Sequence, residues 1–354
     1  MKYCSRCLTP DTRPRVTFNE DGVCNACLHA ESKRFKRDGN KLTPLTRTQK
    51  GLKDSLMWKE LETLCSRFRG KTHWDVIVPC SGGKDGSYVA WKLKHELGMN
   101  PLCITFAPQL PTEIGKENLR NFIASGFDHI MISPDPEKYR ELAIKGFKEQ
   151  GRPKMPFVTG ISTAILQMAI RLGIPFIMYG EEGEAEYGGA SDAEQQITRD
   201  YLIKYYYSGE DPSKYGSWWV LPKDEDLKKL YATHWSKFED WDPKKHALLA
   251  IEKCGLRGED QVGTFTRHSQ LDDKLQDLHA YMMFVKFGFG RATSDANIEI
   301  RAGRMTREEG LKKVKELDGQ FPAKYLKEYL EYFKMTEKEF WATVNKFKRD
   351  ETNS

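Results

Sequence analysis

The sequence predicts an α/β fold, a parallel sheet with helices on both faces, and three observations lead to it. From Trp74 to Gly180, short apolar runs rich in β-branched residues alternate with stretches of helical periodicity. The first run, Val76-Ile-Val-Pro-Cys80, ends in a glycine turn, Ser81-Gly-Gly-Lys-Asp-Gly-Ser87, and a helical pattern follows. Two Cys-x-x-Cys pairs precede all of this and mark a separate metal-binding element. The expected organisation is a Cys4 zinc ribbon over residues 1–32, a connector and helix over 33–72, the sheet domain over 73–200, and a mostly helical, aromatic-rich region over 201–354.

Composition narrows the function. The chain has 354 residues, 39% hydrophobic and 30% charged, as a folded globular protein requires. No segment reaches the roughly 18 apolar residues of a membrane span. The opening Met1-Lys-Tyr-Cys-Ser-Arg-Cys7 has no apolar signal region, so a cytoplasmic protein is expected. A net charge of +5 suits anionic small molecules and does not call for nucleic acid.

Taken in order, Cys4-x-x-Cys7 and Cys24-x-x-Cys27 are separated by sixteen residues. That spacing suits two thiolate hairpins closing a tetrahedral, structural Zn²⁺ site; an iron–sulfur cluster is the alternative metal. Residues 31–72 carry a basic run from Lys33 to Lys41, read as a solvated connector, and a helix from Leu52 to Phe68. Strands are expected at Asp75–Cys80, Pro101–Ala107, Asp128–Ser133 and Pro175–Gly180. Helices are expected at Gly86–Leu97, Glu113–Ser125, Pro136–Glu149 and Ile161–Leu172.

Gly82 and Gly83 let the backbone turn sharply and face an anion with its N–H groups. The helix that follows adds free N–H groups and the positive end of its dipole. Ser81 and Ser87 add hydroxyls and Lys84 a cation, so a polyphosphate is the natural guest. The spacing is not that of a Walker A loop. It resembles the PP-loop of the ATP pyrophosphatases, Ser-Gly-Gly-x-Asp-Ser, with Gly86 where the second serine usually stands. That resemblance implies an adenine nucleotide alpha hydrolase-like fold, with ATP held at Ser81, Gly82, Gly83, Lys84, Asp85 and Ser87. Adenine would pack near Phe106, for which core packing is an equal reading.

Ligands of such sheets sit at the carboxyl ends of the strands. There the sequence has Tyr179-Gly-Glu-Glu-Gly-Glu-Ala-Glu-Tyr-Gly-Gly189. Crowded carboxylates repel unless a cation or donors bind them. Mg²⁺ held jointly by carboxylate and phosphate, acids bonding sugar hydroxyls, and a solvated acidic loop all remain open. Farther on, the aromatics of 201–241 read as core or as a sugar platform. His268-Ser-Gln-Leu-Asp-Asp-Lys274 and Lys286-Phe-Gly-Phe-Gly-Arg-Ala-Thr293 precede short amphipathic helices.

The cysteine quartet, the glycine turn, the acidic loop and the Phe-Gly-Phe-Gly-Arg-Ala-Thr block together resemble the N-acetyl sugar amidotransferase family, the WbpG and PseA type of surface-polysaccharide and flagellar-sugar biosynthesis. The likeness runs from Met1 to about residue 320. It implies conversion of an acetamido group on a nucleotide-linked sugar to an acetamidino group, using ATP and Mg²⁺ beside a structural Zn²⁺. It implies Lys84, Asp85 and Glu182 in catalysis, Gly180 at the nucleotide, and Glu181, Glu182, Glu186 and Tyr187 at the sugar; Arg291 reads by residue type as a grip on a phosphate of the substrate or as half of a structural ion pair. It also implies ammonia from a separate glutaminase paired with a barrel subunit like the histidine-biosynthesis synthase. The rival readings are a PP-loop tRNA thiolase and a zinc-ribbon nucleotide-binding module without turnover. His268, Asp272, Asp273 and His279 are candidate bases by residue type alone.

Overall fold

The computed structural model describes residues 1–38, 41–181, 183–189 and 198–349. The cysteine segment runs into α1 (Asn25–Arg34), the hairpin β1 (Phe35–Asp38) and β2 (Lys41–Pro44), and α2 (Arg47–Ser66). Thr46 and Gln49 open α2 with a reciprocal capping box. The sheet domain follows as β3 (Val76–Pro79), α3 (Lys84–His95), β4 (Pro101–Phe106), α4 (Glu113–Ala124), β5 (Asp128–Ile132), α5 (Pro136–Gln150), α6 (Met155–Leu172) and β6 (Phe176–Tyr179). Beyond it come α7 (Gly183–Tyr187), α8 (Arg199–Tyr205), α9 (Asp224–Leu227), β7 (Tyr231–His234) and α10 (Pro243–Cys254). Five more helices finish the chain: α11 (Leu275–Phe287), α12 (Arg291–Arg301), α13 (Arg307–Leu317), α14 (Leu326–Phe333) and α15 (Glu337–Lys346).

Five strands form one parallel sheet in the order β5-β4-β3-β6-β7. The chain winds outward from β3 to β5, then returns to the other side of β3 with β6. The switch point therefore lies between β3 and β6, where a ligand crevice is expected. Strand periodicity distributes the core. Ile77, Leu102 and Ile104 face a layer containing α5, α6 and the aromatics Tyr207, Tyr215 and Trp219. Val76, Val78 and Cys103 face the other layer, with Leu61, Tyr88, Leu93 and Trp235. A third cluster, built on Phe147, Met282, Phe333 and Phe340, docks the last helices against α5.

Two sequence expectations change, and one open reading closes in favour of core packing. The aromatic-rich stretch is core: Tyr207, Tyr215, Trp219 and Trp235 are fully buried. The sheet extends past the boundary at residue 200, because β7 pairs with β6 from Phe176–Tyr231 to Tyr179–His234. Finally, α6 begins at Met155 instead of Ile161, with Pro156 in the first turn, where its missing N–H costs no helical bond. That extension makes α6 apolar enough over 18 residues to cross a membrane, with 61% of it buried inside the fold. It is packed as a core helix, with Ala164, Ile165, Leu166 and Ala169 in the central cluster.

Candidate active site

The turn after β3 takes its shape from close backbone contacts. Gly82 has φ +79°, and a Cβ there would lie 2.6 Å from the backbone of Leu119. Gly86, the departure from the usual serine, has an equally local cause. A Cβ on it would lie 2.8 Å from the Cα, Cβ and Sγ of Cys80. Gly86→Ala is expected to destabilise the fold by about 1–3 kcal/mol through overpacking. Urea unfolding monitored by tryptophan fluorescence checks this.

Gly83 is the N-cap of α3 and makes no side-chain cap bond, which leaves the first-turn N–H groups for a ligand. Lys84 bonds the Oδ2 of Asp85. The other oxygen, Oδ1, meets Nδ1 of His246 at 3.2 Å. His246 is fully buried on α10, stacked on Tyr88 with ring centroids 4.0 Å apart, and edge-on to Trp241 at 4.3 Å. Burial opposes the charge on Asp85, but Lys84 and His246 outweigh it, so the carboxyl sits below its usual range. Sequence reading missed His246 of α10, because nothing local ties residue 246 to residue 85.

Gly83, Lys84 and Asp85 line a cavity of about 530 Å³ at the switch point, within the ordinary range for ligand sites. Ser81, Gly83, Lys84 and Asp85 form its floor. Phe106, Phe157, Ile161 and the buried Lys154 form one wall. Phe106 fills both roles considered for it: it lines the cavity and it packs in the core against Tyr139 and Trp219. Tyr179, Gly180, Glu181 and Tyr187 form the opposite wall. Glu181 feels burial first and the Asp85 charge second, which push its carboxyl up to about 7. The roof comes from far along the chain: Thr266, His268, Gln270, Asp272, and Asp295 and Glu299 of α12.

The remaining predicted site residues lie elsewhere. Ser87 is fully buried beneath the turn, and its hydroxyl has no hydrogen-bond partner among the described residues. Glu186 turns away from the cavity floor to bond Lys33 at 2.6 Å and meet His29 at 3.4 Å. Arg291 is buried and does not line the cavity. Its guanidinium bonds Gln261 at 2.6 Å and the carbonyl of Ser269, so it braces the loop that makes the roof. Glu182 lies outside the described residues. Of the candidate bases, Asp273 is committed to the backbone amides of Gln109, Leu110 and Leu275. His279 does not line the cavity, whereas His268 and Asp272 do.

Cys4, Cys7, Cys24 and Cys27 are all buried, and their sulfurs lie within 4.8 Å of one another. Cys7 and Cys24 are 3.7 Å apart and Cys4 and Cys27 3.9 Å. A tetrahedron of Zn–S bonds near 2.3 Å has edges of about 3.8 Å, so the quartet fits a Zn²⁺ ion. The amides of Arg6 and Cys24 point at the Cys4 sulfur from 3.4 and 3.2 Å, as amides around a thiolate do.

This element is sewn to the walls of the cavity. The Leu8 amide bonds Asn297 of α12 at 2.7 Å, and Asn297 bonds Thr9 at 2.9 Å. Asn25 bonds the Gly189 carbonyl at 3.0 Å, just past α7.

Comparison with known proteins bears on the roof. Residues 262–353 match the family model described as LPS biosynthesis protein WbpG-like, C-terminal domain. No curated protein matches the chain. Among solved structures, it aligns with a predicted subunit of tRNA methyltransferase from Methanocaldococcus jannaschii at 18% identity and a TM-score of 0.34, covering 59% of this chain and 86% of that one. It also aligns with NMN synthetase from Francisella tularensis at 11% identity and a TM-score of 0.30, covering 81% and 96%. The matched residues contain the roof and α12, so this stretch of the chain is similar to the WbpG-like C-terminal domain.

Proposed function

We propose that the protein is an ATP-dependent amidotransferase that converts an acetamido group of a nucleotide-linked sugar to an acetamidino group. One observation carries the reading. A single crevice is floored by the anion-binding glycine turn and roofed by residues of the WbpG-like domain. A phosphate donor and a second substrate would meet there.

An amide carbon is a poor electrophile because its oxygen cannot leave. The crevice addresses that in its first step: the amide oxygen attacks the α-phosphorus of ATP and pyrophosphate departs. The first-turn N–H groups of α3, the Ser81 hydroxyl and Lys84 are arranged to hold the departing pyrophosphate. His246 and Lys84 fix both oxygens of Asp85. Mg²⁺, when bound, would neutralise phosphate charge, and Asp85 and Glu181 are the cavity carboxylates suited to hold it. Ammonia then attacks the activated carbon, AMP leaves and an amidine remains. We assign the sugar to the wall of Glu181 and Tyr187 and the roof of Asp272, Asp295 and Glu299. Ammonia would come from a partner glutaminase with a barrel subunit, and the cytoplasm, where ATP is supplied, is the proposed site of action.

The thiolase reading needs a thiolate near the glycine turn. Cys80 is the cavity-lining cysteine among the described residues. Burial pushes its thiol up to about 12, which leaves it neutral at physiological pH.

The test is mass spectrometry of the protein with ATP, Mg²⁺, an ammonium salt and a panel of UDP- and CMP-linked diacetamido sugars. The expected product is about one mass unit lighter than its sugar, with one AMP formed per product. ADP and phosphate as the spent nucleotide would overturn the proposal. ATP binding with no turnover on any sugar would support the binding-module reading instead.

A further inference from the structure

We propose that His268 is the base that takes the proton from the attacking nitrogen, a role that rests on the amidotransferase reading above. Its imidazole lines the same cavity as the glycine turn. The ring edge carrying Cδ2 and Nε2 packs on Gly258, where a Cβ would lie 2.4 Å from Nε2. Nδ1 is on the other edge. Neither ring nitrogen has a hydrogen-bond partner among the described residues, whereas Nδ1 of His246, the other histidine near the floor, is committed to Asp85. The loop carrying His268 is held in place by Arg291, through Gln261 and Ser269.

The environment keeps the ring ready to accept a proton. Burial, then the cations Arg267 and Lys84, hold His268 below the usual imidazole range, so it is neutral at physiological pH. The charged and titratable groups lining the cavity around His268 are Cys80 after β3, Lys84 and Asp85 of α3, Tyr179 of β6 and Glu181 after it, Tyr187 of α7, Lys154 before α6, Asp272, and Asp295 and Glu299 of α12.

The step balances as follows. The activated sugar nitrogen still carries its amide proton (–NH⁺=C), so the ammonia lone pair forms the new C–N bond as the C=N electrons move to that nitrogen and neutralise it. The carbon then carries –NH₃⁺ and the AMP oxygen. His268 accepts one proton from –NH₃⁺. The freed lone pair re-forms a C=N bond as the C–O bond breaks, AMP leaves with that electron pair, and the imidazolium returns its proton to water.

The experiment separates the two half-reactions in the full chain with its metal bound. Sugar-dependent ATP–pyrophosphate exchange reads adenylation, and AMP formed with amidine reads nitrogen attack. His268→Asn is expected to keep exchange within about threefold of wild type and to lose amidine formation by about 10²–10⁴-fold, the usual contribution of a positioned base. At fixed free ammonia, the wild-type rate should fall as pH drops through a value below about 6.5, and the variant should lack that limb. Added imidazole should restore part of its rate. Gly258→Ala, which pushes on the ring, should slow the same half-reaction alone.

An equal fall in exchange and amidine formation would make His268 a phosphate contact and overturn the proposal. An active wild type beside an equally active variant would overturn it too. A wild type with neither half-reaction on any sugar would instead overturn the amidotransferase reading itself.

Discussion

Lys84→Ala is expected to reduce pyrophosphate release by about 10²–10³-fold while the protein stays folded. The physical reason is the position of the ammonium group. It sits at the N-terminus of α3, on the cavity floor, paired with the Asp85 carboxylate. In the proposed reaction, negative charge accumulates on the departing pyrophosphate, and Lys84 is the side-chain cation on that floor. The lost interaction strengthens as charge develops, so turnover should fall more than ATP affinity. Folding should survive because Asp85 keeps its bond to His246, and both members of the Lys84–Asp85 pair retain some exposure. Pyrophosphate release and a thermal melt on the same preparation check both halves. Unchanged release in a folded variant would remove the glycine turn from the chemistry.

Cys4→Ser, or chelation of the metal, is expected to unfold the first thirty or so residues and to weaken the proposed sugar side of the cavity without touching the floor proposed for the nucleotide. The segment's own hydrophobic cluster is little more than the four cysteines with Val23 and Ala26. A structural zinc site in so small an element supplies about 10–16 kcal/mol of apparent binding energy, which is its folding energy. The consequence extends beyond the element. Its bonds to Asn297, Gly189 and Glu186 hold α12 and the segment around α7, which carry Asp295, Glu299 and Tyr187 into the cavity. Hydrogen exchange should therefore rise over residues 183–189 and 291–301. KM for the sugar should rise at least tenfold, while KM for ATP changes little. Metal analysis of the purified chain should find zinc. Iron with visible absorbance would instead identify the cluster alternative, and unchanged exchange in α12 would show that the element is independent of the site.

Much of this was readable from residue order. The alternation of strand and helix needs only side-chain period and apolar content, and β3 to β6 fall within a residue or two of their expected positions. The glycine turn and the cysteine quartet are local motifs, whose residues lie close together because they are close in sequence. Arg291 could not be placed this way. Its residue type suits a phosphate equally well, and only its partners Gln261, Ser269 and Asp295 reveal a brace. Glu186 is similar: its carboxylate is claimed by a helix some 150 positions earlier in the chain.

By itself, the sequence determined the parallel sheet, the glycine turn and the cysteine quartet, because each depends on local periodicity or short spacing. Tertiary structure alone decided that His246 orients Asp85, that the C-terminal domain roofs the crevice with His268 among its residues, and that the cysteine element braces the cavity walls. The physical reason is that these contacts join residues more than 100 positions apart. Packing of whole helices and loops sets them, and a single chain's residue order carries no periodic trace of that packing.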